Sequence, residues 1–457
     1  MRRNHTLNFQ SSTPKPESPE AAEGNETGGK ASPGLPFISR TFEALSIPAY
    51  RDMWLGMLVS FAGLQVAIIS RGYLAYDLSG SAGILGLVSF AMGLPMLFFS
   101  PIAGVLADRV DKRRLLIGSQ VFMLAVSGLL ALLIHTGWIA IWHLIVFGFL
   151  QGIAFSLGMP TRSSLIPALV GRERLGNAIA LNNSGRNMMT ILGPAVAGIV
   201  IVTPGLGTAG AFDITAVCYG VSTLFIMRLP KTLESDKKAA GGRFSAQMFD
   251  GFRYVFTERT LLLLMSLAFI PLLLGRPYQM LLPVFQEDVL GVDARWLGFL
   301  NSATGVGGVL GSLLVAYLAA GQHAKLLQVV FGGLFGISLV LFAYSNWLPL
   351  SLLMVGIVGL TANAYMSLNN TLVMLHTDQA YYGRVMSIYM MTFSLMPMAA
   401  LPMGMLVDRW SAPQVVSVAG AVIVIFILAI SLAVPGMRQS DSSETQAAPT
   451  TRRPAAL

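Results

Sequence analysis

Twelve stretches of this chain are apolar over the length that a helix needs to cross a bilayer, and this restricts the possible folds more than any other property of the sequence. They fall at 53–76, 83–107, 115–135, 138–159, 176–202 and 207–227, then at 261–282, 295–318, 326–344, 348–371, 384–407 and 413–434. A hydrocarbon core about 30 Å thick takes roughly 20 helical residues. Barrel strands would show ~10-residue segments of alternating polarity instead. The expected fold class is therefore an all-α membrane protein. With 54% hydrophobic and 11% charged side chains, a soluble enzyme, a disulfide-stapled secreted domain and a disordered scaffold are excluded. Cys218 is the only cysteine, and no Cys/His group has metal-ligand spacing, so neither an internal disulfide nor a metal site is expected.

The spans divide six and six. Residues 1–50 form a polar tail whose stretch from Ser11 to Gly34, rich in Pro, Ser, Glu and Gly, predicts disorder. No 7–15-residue apolar segment follows the first arginines, so no cleavable signal peptide is expected. Residues 51–228 make an N-terminal six-helix bundle, 229–260 a central loop, 261–434 a C-terminal six-helix bundle and 435–457 a second loose tail. All but five of the 30 Lys and Arg residues lie in the tails and in the loops that share a side with the N-terminus. The exceptions are Arg71, Arg186 and Arg276 within spans, and Arg295 and Arg409 in the opposite loops. This positive-inside asymmetry predicts a multi-pass protein of the cell membrane with both termini cytoplasmic. It also accounts for the net charge of +8 without a nucleic-acid partner. In the central loop, Phe244, Met248, Phe252 and Phe256 recur at helical spacing among Arg243, Asp250 and Arg253. That pattern suits an interfacial amphipathic helix, and equally a tether between bundles.

Between the second and third spans runs Gly104-Val-Leu-Ala-Asp108-Arg109-Val-Asp111-Lys112-Arg113-Arg114. Gly104 allows close helix contact, Asp108 stands at a helix end, and the basic cluster including Arg109 and Arg113 faces the cytoplasm. The carboxylate is placed to pair with neighbouring cations and latch that side. In the fifth span, Pro194 removes a backbone donor while Gly193 and Gly198 permit close approach, which predicts a bend. Leu401-Pro402-Met403-Gly404 is its weaker counterpart in the eleventh span.

These residues resemble a known family. The first motif is similar to the G-x-L-a-D-r-x-G-r-[RK]-x signature of the major facilitator superfamily, with Asp111 in place of the second glycine. The stretch from Gly193 to Gly198 resembles the G-P-x-x-G antiporter motif of its drug-efflux members. Gly383-Arg384-Val-Met-Ser387, Met159-Pro160-Thr161-Arg162-Ser163-Ser164 and Phe212-Asp213 resemble its macrolide-efflux and enterobactin-exporter branch. Gly404-Met-Leu-Val-Asp408-Arg409 repeats the first pattern on the opposite face, where a loop cap is expected. The resemblance implies twelve transmembrane helices in two pseudo-symmetric six-helix bundles, around a central cavity lined largely by spans one, four, seven and ten.

Ionisable side chains inside a membrane cost roughly 2.5–3.5 kcal/mol on insertion scales, so they face protein or water. Asn182, Asn183, Arg186 and Asn187 share a stripe of the fifth span. Arg276 and Gln279 lie three apart in the seventh, between and beyond Pro271 and Pro277. Gln65 and Gln151 lie near the middles of spans one and four, Arg71 farther along, and Asn363 in span ten. Gln65, Arg71, Gln151, Asn183, Arg186, Asn187, Arg276, Gln279 and Asn363 are therefore the candidate cavity residues, although interhelical hydrogen bonding would use the same amides. Three intramembrane arginines against few acids predict a cavity of positive potential, and a substrate that is anionic or rich in acceptors.

The expected function is export of a small organic molecule (drug-like, siderophore-like or another amphiphile) by alternating access, by a monomer without a cofactor. No Walker A sequence offers an ATP motor, and no catalytic constellation points to an enzyme. The resemblance implies proton coupling, for which Asp213 in the sixth span is the candidate acid. An uptake facilitator and a non-transporting membrane sensor or scaffold remain open at this point.

Overall fold

The computed structural model describes residues 42–171, 173–230, 244–318, 324–378 and 381–433. For residues 100–109 and 244–249, and positions 383, 387, 390, 393 and 394, it describes the backbone only. The expected disordered stretch from Ser11 to Gly34 and the tail at 435–457 lie outside the described residues.

Six helices make the first half: α1 Pro48–Ser79, α2 Ala82–Arg109, α3 Lys112–His135, α4 Ile141–Val170, α5 Leu175–Val202 and α6 Gly207–Met227. The amphipathic α7, Phe244–Thr257, follows. The second half holds α8 Arg259–Gly275, α9 Ala294–Leu318, α10 Ala324–Ala343, α11 Leu348–Leu375, α12 Tyr382–Arg409 and α13 Ala412–Ala433. Eleven of the described helices are long and apolar enough to cross a membrane, and α12 occupies the place of the twelfth span. Gly80, at φ +59°, closes α1 by donating its N–H to the Tyr76 carbonyl at 2.7 Å, a left-handed cap that a side chain would strain.

Two spans run longer than their apolar runs. The fourth continues to Val170 through Pro160 and Pro167; Thr161 Oγ1 and Ser164 Oγ donate to backbone carbonyls one turn back, at 2.7 and 2.9 Å. The seventh does not stop at 282. Beyond α8 the chain tightens into a 3₁₀ turn at Arg276–Leu281, returns to α geometry at Leu282–Val284, and widens into a π turn at Phe285–Val289. Pro277 and Pro283 each remove a backbone donor here, which is why the regular ladder breaks.

Helix pairing repeats between the halves. In the first, α1 packs on α5 and α6, α2 on α4, and α3 on α4 and α6; in the second, α8 packs on α12 and α13, α9 on α11, and α10 on α11 and α13. Each of these pairings of the first half recurs between the helices six spans later. The halves meet along two seams, α2 against α12 and α5 against α9.

Leu129, Leu132, Val217, Leu224, Leu341, Ile425 and Leu432 are each more than half exposed. They sit on α3, α6, α10 and α13, the third and sixth helices of either half, and an apolar surface of this extent belongs in lipid. Trp138, Trp142, Trp347 and Trp410 are exposed at the face opposite the start of α1 and the end of α13, where an interfacial aromatic belt is expected. That face is called distal below, and the opposite one terminal.

Candidate functional site

A cavity of about 390 Å³ lies between the halves. Its wall is contributed by α1, α2, α5, the seventh span, α9, α11 and α12. Gln65, Arg71, Asn187, Arg276, Gln279 and Asn363 line it. Gln151 does not reach the wall: it is buried behind Arg71, whose Nη1 donates to its Oε1. The fourth span thus contributes through Arg71 rather than directly. Asn183 and Arg186 lie nearer the terminal face and outside the lining. Asn183 is exposed, and the Arg186 guanidinium rests 5.3 Å from the centre of the Phe61 ring.

Both cavity arginines are held by a neutral amide. Arg71 Nη2 also faces Met92 Sδ at 3.4 Å. Arg276, where α8 gives way to the 3₁₀ turn, donates from Nη2 to Asn363 Oδ1 at 3.2 Å. The Asn363 amide in turn donates to the Gly359 carbonyl at 2.9 Å. Gly308 makes room for it, since a Cβ there would sit 2.5 Å from Asn363 Nδ2. Among the described residues lining the cavity there is no Asp or Glu.

Five polar lining residues escaped the sequence reading: Ser89, Thr190, Asn301, Thr304 and Ser312. Asn301, a mid-span amide, carried the same signal as Gln65. The hydroxyl residues carried none, because in a helix they can bond their own preceding turn, as Thr304 Oγ1 does with the Leu300 carbonyl at 3.2 Å.

At the distal face the seams are tight. Asp408, at the end of α12, crosses to the start of α2: it accepts from Ala82 N at 2.7 Å, Gly83 N at 2.9 Å and Ser81 Oγ at 2.7 Å. A carboxylate at a helix N-terminus satisfies open backbone donors and meets the positive end of the dipole. The expected loop cap is therefore a cap on a helix of the other half. Beside it, backbones touch: a Cβ on Gly86 would lie 2.8 Å from Leu401 Cα, and one on Gly404 would overlap the Ala82 carbonyl. Tyr76 of the first half donates to Asp288 Oδ2 of the second at 2.6 Å. On the other seam, Ser302 Oγ donates to the Ile191 carbonyl at 2.6 Å.

Residues 39–454 match the family described as transmembrane secretion effector. The chain belongs to that family, within the major facilitator superfamily. Macrolide efflux protein A of Streptococcus pyogenes is 25% identical over 376 residues, covering 80% of this chain and 90% of the relative. The staphyloferrin A transporter of Staphylococcus aureus is 23% identical and covers 79% and 90%. Among solved structures, the nucleoside transporter NupG superposes with a TM-score of 0.68 at 12% identity, over 83% of this chain and 98% of that one. This likeness is one of fold.

The family motifs fall as follows. Gly104, Asp108 and Arg109 form the last turns of α2, and their side chains lie outside the described residues. Asp111, in the position of the usual glycine, caps α3 by accepting from Arg113 N at 2.8 Å and Arg114 N at 3.2 Å. Arg113 Nη2 donates to the Met227 carbonyl at the end of α6. The helix-bend motif divides between the interior of the first half and the distal seam. Gly193 lies against Gln65 of α1, and Gly198 faces α9, where an added Cβ would sit 3.0 Å from Gly298 Cα. Asp213 pairs with His135 at 2.9 Å, half-exposed and away from the cavity. The amphipathic α7 docks on the start of α12: Tyr254 stacks on Tyr381 with ring centres 4.1 Å apart, and Asp250 meets Arg384 at 3.5 Å.

Proposed function

We propose that this chain is a monomeric secondary transporter of the cell membrane that exports a small organic molecule by alternating access. The observation that carries this reading is a polar cavity between two halves of matching helix order, sealed at the distal face by contacts that all cross between halves. Such contacts can break together when the halves rock, while each half keeps its own packing. The positive-inside pattern makes the terminal face cytoplasmic, so the conformation described is the one closed to the outside. Export agrees with one relative being a macrolide efflux protein, and a small-molecule substrate with the other being a staphyloferrin A transporter. Proton exchange drives it, with Asp213 and its partner His135 as the proposed carrier.

In inverted membrane vesicles energised with a proton gradient, a labelled macrolide or staphyloferrin A should accumulate inside. A protonophore should abolish accumulation, and Asp213→Asn should remove its dependence on the gradient. If neither probe moves under any gradient, the export reading gives way to the sensor or scaffold.

A further inference from the structure

The two cavity arginines are related by the same rule that relates the halves. Arg71 stands on the first span and is held by Gln151 of the fourth. Arg276 stands on the seventh and is held by Asn363 of the tenth. On the second half glycine accommodates the arrangement, since a Cβ on Gly308 would sit 2.5 Å from Asn363 Nδ2. Each half therefore contributes one arginine to the shared cavity, from corresponding spans.

The chemistry of the holding groups matters. An amide fixes the orientation of a guanidinium without cancelling its charge, and a carboxylate in the same position would neutralise it. Each guanidinium has five N–H donors; the amide takes one in each, and Met92 Sδ a second in Arg71. The remaining polar lining is amides and hydroxyls such as Gln65, Gln279 and Asn301, with no acid among the described lining residues. Two cations without a counter-charge in a membrane interior are costly to maintain, so the cavity is electrostatically incomplete when empty.

We infer that the cavity is built for an organic anion with two acidic groups, carboxylates or similar oxyanions, one taken by Arg71 and the other by Arg276. The ligand then bridges the halves, and a monoanion leaves one cation unpaired. This rests on the central cavity being the place where the exporter holds its substrate. It adds the chemical class of that substrate and the division of its recognition between the halves.

The test is a binding measurement on the purified full chain in detergent, which needs no gradient and no direction of transport. Aliphatic dicarboxylates from succinate to azelate, their monomethyl esters and their dimethyl esters are compared by thermal shift at constant ionic strength. One or two chain lengths of diacid should raise the melting temperature saturably. The matching monoesters should bind roughly tenfold or more weakly, as expected for loss of one charge-assisted hydrogen-bonded pair, and the diesters should give no shift. Arg71→Gln and Arg276→Gln should each abolish the diacid response. Gln151→Glu and Asn363→Asp keep the shape and leave both arginines in place but supply an internal counter-charge, so with a gel-filtration peak like the parent's they should abolish it too. Absence of any diacid shift, monoesters binding as well as diacids, or a response surviving in the Glu and Asp variants overturns the inference. A diacid response alongside failed vesicle transport would sink the export reading and leave this one standing.

Discussion

A Gly404→Leu variant is expected to lose the ability to close its distal face. The α2–α12 seam is made there by backbone against backbone, and a Cβ on Gly404 overlaps the Ala82 carbonyl. Neither helix can yield locally without losing ladder hydrogen bonds, so the strain is relieved only by separating the halves. Overpacking of this kind costs about 1–3 kcal/mol. Because it acts on the closed state alone, the balance moves toward the outward-open state by roughly 5- to 150-fold. Asp408→Asn should move it the same way by less, since the amide keeps one acceptor for the α2 N-terminus but loses the charge that meets its dipole. The measurement is labelling of a cysteine placed at Ser89, on the cavity wall, by a membrane-impermeant maleimide added outside cells, in a Cys218→Ser background. Labelling should be fast in Gly404→Leu, intermediate in Asp408→Asn and slow in the parent, with export reduced in the same order. Equal labelling in all three would show that this seam is not the outer gate.

Gly307→Leu should prevent the second half from folding. This glycine lies on the face of α9 that packs on α11, and a Cβ would overlap the Gly356 carbonyl. Gly311 and Gly359 meet the opposite helix in the same way, so the pair is joined by a small-residue contact along its length. The obstruction lies inside one half, and no rocking of the halves relieves it. We expect destabilisation of about 3 kcal/mol or more, the upper end for an overpacked core, seen as loss of the monodisperse peak in detergent gel filtration. Gly333→Leu is the control. Nothing lies within 4 Å of a Cβ there, and the yield should match the parent within the small range of surface substitutions. A normal Gly307→Leu peak would refute the packing argument.

These two glycines show where sequence reasoning runs out. Gly307 and Gly333 both sit in apolar, glycine-containing spans, and no local pattern separates the one that touches backbone from the one that touches lipid. Asp408 makes the same point for polar groups. Its own neighbourhood, Gly404-Met-Leu-Val-Asp408-Arg409, marks it as a helix-end cap, but the helix that it caps begins at Ala82, more than 300 residues earlier. Gln151 was legible as a mid-membrane amide, yet its partner Arg71 decides whether it faces the cavity or stands behind it.

The sequence by itself determined that this chain is a twelve-span membrane protein in two related halves, and which polar residues lie at membrane depth. Those properties follow from transfer energies and from a motif order read along the chain, and both are local. Only the tertiary structure decided which of those residues share one cavity, that its two cations come from corresponding spans of opposite halves, and that the distal seams are shut. Such facts depend on which faces of distant helices meet, and on approaches of a few tenths of an ångström that helical periodicity leaves free.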